Sequence, residues 1–244
     1  MKNDPPAPTV ITFASRKGGV GKTTLALALS SRLAEKHRVL LIDMDQDGDA
    51  TFGIGGDLQQ PGAAALITGG EPVFQKRGDS LDLLCGNQDL EDPTIDRAEP
   101  EALADAIKQL PYDYVVIDSP ANAHQLQKLC VVAASSVLIP MNAHPFAIMR
   151  GRALIGELEK RRASGRQGAE KWAIVANPLD TRRKLDREFV DQIEAGTDFG
   201  APVYVIRQNT VFSQATTAQQ PCSSFPGATS AMPEIDQIIK WLRS

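Results

Sequence analysis

The chain has 244 residues, 42% of them hydrophobic, and a formal net charge of −4. That length supports one domain with a real apolar core, so no disulfide or metal staple is required. The acidic balance argues against a uniformly basic nucleic-acid binder, and Cys85, Cys130 and Cys222 are odd in number and lack a C-x-x-C pair, which argues against a disulfide framework or a zinc site.

In chain order, the polar, proline-rich opening has no signal-peptide core, and no 18-residue apolar run follows. The expectation is a cytoplasmic protein with no stable membrane association. TVITFAS (9–15) is the first predicted strand, and a helix is predicted near 22–35. RVLLID (38–43) is the second strand, and residues 53–78, rich in Gly, Pro and Ala, are expected to be irregular with one short helix. LDLL (81–84), YDYVVID (112–118), SVLIP (136–140), WAIVAN (172–177) and VYVI (203–206) read as further strands. Helical patterns fall near 100–109, 123–133, 146–162, 184–195 and 233–243. The segment 214–233 is polar and turn-rich and is expected over the surface near the site. Most strands are continuous apolar runs, as a parallel sheet covered on both faces requires. The order predicts a single α/β domain over 1–244, a doubly wound, mostly parallel sheet of about seven strands. Ligands of such sheets bind at the C-terminal strand ends.

Three stretches at those ends carry chemistry. RKGGVGKTT, after the first strand, reads as a phosphate-binding loop whose usual first glycine is Arg16 and which carries an additional lysine, Lys17. Gly18, Gly19 and Gly21 let backbone N–H groups face phosphate oxygens at a helix N-terminus, Lys22 suits the β- and γ-phosphates, and the Thr23 hydroxyl suits Mg²⁺. In VLLIDMDQDGDAT (39–51), Asp43 and Asp45 stand two apart at a strand end, one suited to a metal's outer shell and one to orienting a water. YDYVVID ends in Asp118, the pattern of a Mg²⁺-supporting strand.

Together these residues resemble the ParA/MinD family of deviant Walker ATPases, whose loop K-G-G-x-G-K-[ST] is matched at every position from Lys17 to Thr23. The resemblance covers nearly the whole chain and is closest to small ParA-type proteins; only eight residues precede the first strand, so no N-terminal helix-turn-helix is expected. It implies a P-loop NTPase that binds ATP through Lys17, Gly18, Gly19, Val20, Gly21, Lys22, Thr23 and Thr24, with Asn177 against adenine. Mg²⁺ is implied at Thr23 and, through water, at Asp43 and Asp118. Lys17, Lys22 and Asp45 are the implied catalytic residues: Asp45 positions the water, and Lys17 reaches the phosphates of a second subunit in an ATP-bound homodimer. Gln46, Asp47 and Asp49 depart from the family's P-Q-G-N pattern and bear on the hydrolysis rate.

The family further implies nonspecific binding of double-stranded DNA, association with the nucleoid, and release by a cargo-bound, ParB-like activating protein. Arg182, Arg183, Lys184 and Arg207 are the DNA-binding candidates, with Arg150, Arg152, Lys160, Arg161 and Arg162 adding to a stretch from Arg150 to Arg187 that holds 11 Lys/Arg against 5 Asp/Glu. The cargo is a plasmid, a chromosome origin or a protein organelle or cluster. The alternatives are a MinD-like membrane-cycling regulator and a metabolic enzyme of the same fold. Against the first, Ile235, Ile238, Ile239 and Leu242 form a single apolar stripe near Glu234 and Asp236, which predicts a helix docked on the domain. His37, His124 and His144 are isolated and expected at surface or cap positions, and Cys85 and Cys130 in the core.

Overall fold

The structure, a computed structural model, describes residues 6–180 and 182–244. The apolar runs become the strands of one eight-stranded sheet, joined by helices on both faces. The N-terminal half contains β1 (Thr9–Phe13), α1 (Lys22–Leu33), β2 (Val39–Asp43), α2 (Asp49–Gly53), α3 (Ala63–Thr68), β3 (Gln75–Lys76), β4 (Leu81–Leu84), α4 (Ala102–Ile107) and β5 (Tyr114–Asp118). There follow α5 (His124–Ala133), β6 (Ser136–Met141), α6 (Pro145–Ala163), β7 (Lys171–Leu179), α7 (Lys184–Glu194), β8 (Val203–Arg207), α8 (Thr210–Thr217) and α9 (Met232–Leu242).

The strand order is β3-β4-β2-β5-β1-β6-β7-β8, and every pairing is parallel except β3 with β4. All seven predicted strands are present. The eighth, β3, is a two-residue antiparallel edge, too short to show a pattern in sequence.

Side chains two apart on a strand share a face, and the core divides accordingly. Leu41, Val116 and Phe13 pack with α1, α8 and α9 on one face. Ile42 and Ile117 pack with α3, α4 and α5 on the other, where a second cluster joins Ile139 and Ile174 to α6 and α7. Cys85 and Cys130 are buried, as expected.

Two segments differ from the sequence reading. Residues 210–217 form α8, capped by Asn209, whose side chain accepts from Val211 N at 3.0 Å. The stretch after it does not overlie the site: Cys222, Ala228 and Ala231 are buried in the α1 cluster, and Ser223 donates to Ser31 O from its hydroxyl at 3.0 Å. Small residues there let the chain lie close against α1, a packing role that its polar composition concealed.

The last helix docks as expected. Ile235, Ile238, Ile239 and Leu242 are all buried, and Arg32 of α1 holds Asp236 through two hydrogen bonds of 2.8 and 2.9 Å. Among the described residues, no helix is long and apolar enough to cross a membrane.

Candidate functional site: the phosphate loop and its carboxylates

The loop between β1 and α1 leaves the sheet at its centre, where β1 lies between β5 and β6. Ala14 N donates to Leu138 O at 2.9 Å, which fixes the loop's start to β6. At its end Gly21 takes φ +87°, a left-handed conformation, and a Cβ there would collide with the Asn177 side chain. No side chain caps α1, so its first-turn N–H groups stay open at the positive end of the helix dipole.

In front of the loop lies a cavity of about 620 Å³, lined by Gly18, Gly19, Gly21, Lys22, Thr23 and Thr24. Asp45, Gln46, Asp47 and Asp49 form its acidic lip, and Pro120 to Ala123 with Leu126 of α5 form the opposite wall. Lys22 is only 8% exposed, so its charge acts in a poorly screened environment.

Asp43 and Asp118 are partners in the β2–β5 register and both are buried. Burial pushes both carboxyls above the ordinary range, and Asp43's charge raises Asp118 further, while Thr23 and Lys22 pull Asp118 back. Asp118 Oδ1 is buried without a hydrogen-bond partner. An orphaned carboxylate oxygen beside Thr23 is a fitting acceptor for a hydrated cation.

Asp43, expected in a metal's outer shell, is also bound to its own turn. Its Oδ2 accepts from Thr51 N and Thr51 Oγ1, both at 2.8 Å, and its Oδ1 accepts from Asp45 N at 3.1 Å. Both oxygens are thus engaged by the turn that carries Asp45, and Asp43, like Asp118, lies behind the cavity lining. Gly86 makes room for this: a Cβ there would strike Asp45 O and the Asp43 carboxyl, and its N–H donates to Thr51 Oγ1 at 3.0 Å. Thr51 was visible in the stretch 39–51, whereas Gly86 comes from the loop after β4 and had no signal in sequence.

Asp45 is half-buried on the cavity wall. Desolvation raises its carboxyl, and Asp47 and Asp49 add to the effect, while the Asp47 backbone bond and Lys22 oppose it. Asp47 and Asp49 therefore act electrostatically on the water-positioning candidate.

Lys17 does not enter this cavity. Its Nζ lies 3.4 Å from Asn142 Oδ1, at the end of β6, on the front edge of the loop. Val20 is buried and serves the loop's interior. Asn177, the residue expected against adenine, is 5% exposed and donates Nδ2 to Val20 O at 3.1 Å, bracing the phosphate loop from behind. β7 ends beside the loop, and the amide fills the space that Gly21 leaves.

The basic candidates are not among the residues that line the cavity. Arg182, Arg183, Lys184 and Arg207 have side chains 66% to 86% exposed, and each has a carboxylate partner: Asp180 for Arg182 and Arg183, Glu188 for Lys184, and Glu234 for Arg207. His144 caps α6, its Nδ1 accepting from Phe146 N at 3.3 Å.

A glycine-bent phosphate loop at the centre of a parallel sheet, with Lys22 and Thr23 inside and Asp118 behind, defines a P-loop nucleotide hydrolase. The AAA domain family matches residues 8–167. The chromosome-partitioning ATPase Soj of Thermus thermophilus is 33% identical over 228 residues, covering 89% of this chain and 90% of that protein. The chromosome partitioning protein ParA of Caulobacter vibrioides is 31% identical, covering 87% and 85%. Among solved structures, an ATP complex of Cyanothece McdA superposes with a TM-score of 0.83 at 19% identity, covering 98% of this chain and 97% of that one. The Pyrococcus furiosus cell division ATPase MinD gives 0.76 at 20%, covering 96% and 99%. The chain belongs to the ParA/MinD family and is a ParA-like ATPase.

Proposed function

We propose that this ParA-like positioning ATPase closes a homodimer on Mg²⁺-ATP, holds nonspecific double-stranded DNA in that state, and lets go when a cargo-bound, ParB-like partner stimulates hydrolysis. Its place of action would be the nucleoid. The observation that carries the reading is the position of Lys17, which stands outside its own chain's cavity on the loop's front edge, beside Asn142. A second cation there has no phosphate of its own to meet, and a facing subunit supplies one.

Within each subunit, Lys22 and the α1 N-terminus hold the β- and γ-phosphates. Thr23, with Asp118 and Asp43 through water, would hold Mg²⁺, which when bound neutralises phosphate charge. Asp45 orients the attacking water, and Asn177 keeps the loop in shape. DNA binding draws on Arg182, Arg183, Lys184 and Arg207. Their present ion pairs are solvent-exposed and weak, so a DNA phosphate can replace the carboxylate.

The test is binding to a random duplex at low and moderate salt, with ATP and then with ADP. Salt-sensitive binding with ATP alone, lost in Lys17→Ala, is the expected result. Equal binding with both nucleotides, or none with either, would refute the DNA reading while leaving the ATP site intact.

A further inference from the structure

A second cavity, of about 340 Å³, lies away from the nucleotide cleft in the groove between α5 and α6. Its lining on α5 recurs at His124, Gln127, Lys128, Val131 and Val132, and on α6 at Leu154, Glu157, Leu158 and Arg161. Both sets follow the i, i+3, i+4 spacing of one helix face, so the groove follows α5 for about 12 Å at 1.5 Å per residue. Its floor is apolar: Val132, Leu154 and Leu158 are buried and Val131 is partly exposed.

The rim is cationic in a chain whose net charge is −4. Arg16, Lys128, Lys160, Arg161 and Arg166 surround the floor, against Glu157 alone among the lining carboxylates. Arg16 pairs with Glu157 at 2.8 Å and Arg161 with Glu101 at 3.4 Å. Among the described residues, Lys128, Lys160 and Arg166 pair with no carboxylate.

We propose that the α5–α6 groove is a docking site for an acidic amphipathic helix of a partner protein, its apolar stripe on the Val131–Leu158 floor and its carboxylates on the Lys128, Lys160 and Arg166 rim. The combination decides the class of occupant. A duplex offers phosphates but no apolar ridge for the floor, and its contacts go to charge alone. An uncharged helix would leave the rim unused. Helix-in-groove recognition uses an apolar stripe at this spacing, and complementary charge sets its orientation.

The groove also communicates with the phosphate loop. Arg16 immediately precedes Lys17, its carbonyl accepts from Arg150 Nη1 of α6 at 3.0 Å, and its guanidinium reaches Glu157 on the groove wall. Helix α5 lines both cavities, with Leu126 on the nucleotide side and Lys128 and Val131 on the groove side. An acidic occupant competes with Glu157 for Arg16 and so acts on the loop's front edge. That second step rests on the ATPase reading, whereas docking does not.

The experiment uses the full chain and a labelled synthetic helix with Leu on one stripe and Glu beside it, followed by fluorescence anisotropy without nucleotide. Controls are a Glu-rich peptide of equal charge lacking Leu, and a random duplex. The Leu/Glu helix is expected to bind, the Leu-free peptide to bind about tenfold more weakly or worse, and Lys128→Glu/Lys160→Glu to lose about tenfold or more. Both substitutions are on exposed side chains, and unchanged circular dichroism and ATP-analogue binding would show that the variant is folded. Docking is overturned if the two peptides bind alike, if the double variant binds normally, if only the duplex binds through these lysines, or if they instead mediate self-association of the chain. ATP turnover that changes on saturation with the helix, and no longer does so in the double variant, supports the link through Arg16. Turnover indifferent to bound helix overturns that link and leaves docking standing.

Discussion

Thr51 gives Asp43 both its backbone N–H and its hydroxyl, each at 2.8 Å, and the same hydroxyl accepts the Gly86 N–H at 3.0 Å. One side chain therefore ties the end of β2, the start of α2 and the loop after β4 together beneath the phosphate site. Thr51→Val keeps the shape and removes two bonds, one of them to a buried carboxylate. It is expected to cost about 2–4 kcal/mol, because bonds to charged groups and unsatisfied buried partners weigh more than ordinary ones. Urea denaturation measures it, with Thr51→Ser as the milder control. A midpoint unchanged in the valine variant would mean the turn stands without Thr51.

Gly21 and Asn177 make a second, steric pair. Gly21→Ala meets both a left-handed φ of +87° and the Asn177 amide. The φ alone costs on the order of 1–3 kcal/mol. We expect the variant to melt lower and to lose binding of a fluorescent ATP analogue. Gly21→Ala/Asn177→Ala relieves the collision but not the φ, so it should recover only part of the loss. Full recovery would show that the backbone conformation is unimportant.

The pH dependence of the nucleotide-free protein has a defined sign. Burial holds Asp43 and Asp118 above their unfolded values, so the folded chain binds protons more tightly than the unfolded one. Their contribution to stability is fully present below about pH 4 and is lost as pH rises through the raised folded values. Asp118→Asn removes one of the two groups. Relative to the native chain, it should gain stability as pH increases from 5 to 8.5, by on the order of a few kcal/mol at the upper end. Urea melts of both proteins at the two pH values provide the comparison, and parallel curves would count against the buried charge as the cause.

The last helix gives a fourth test. Ile238 is buried between α9 and the rest of the fold, so Ile238→Ala should cost about 2–5 kcal/mol. The same helix should show no ATP-dependent pelleting with anionic vesicles, because its apolar stripe is already covered. Pelleting that Ile238→Ala abolished without changing the melt would assign the stripe to lipid.

The sequence by itself determined the alternation of strands and helices, and the phosphate loop with the carboxylates at the strand ends. These are local properties: a run such as VLLID can be buried only in a covered sheet, and Lys17 to Thr23 carries its geometry in its glycines. The apolar stripe of α9 was legible for the same reason, since its spacing lies within a single helix. What only the tertiary structure decided is which groups meet across the chain. Asn177 stands 157 residues from the carbonyl it holds, and Gly86 stands 35 from Thr51. The turn after Asp43 engages both its oxygens, through Thr51 and the Asp45 N–H, a closure that no single strand or helix pattern displays. The α5–α6 groove is likewise a product of packing, because its rim joins two loop residues, Arg16 and Arg166, to two helices whose separate patterns resemble ordinary solvated faces. Chain-distant contacts depend on how elements stack, and stacking is chosen by the whole core rather than by any one stretch.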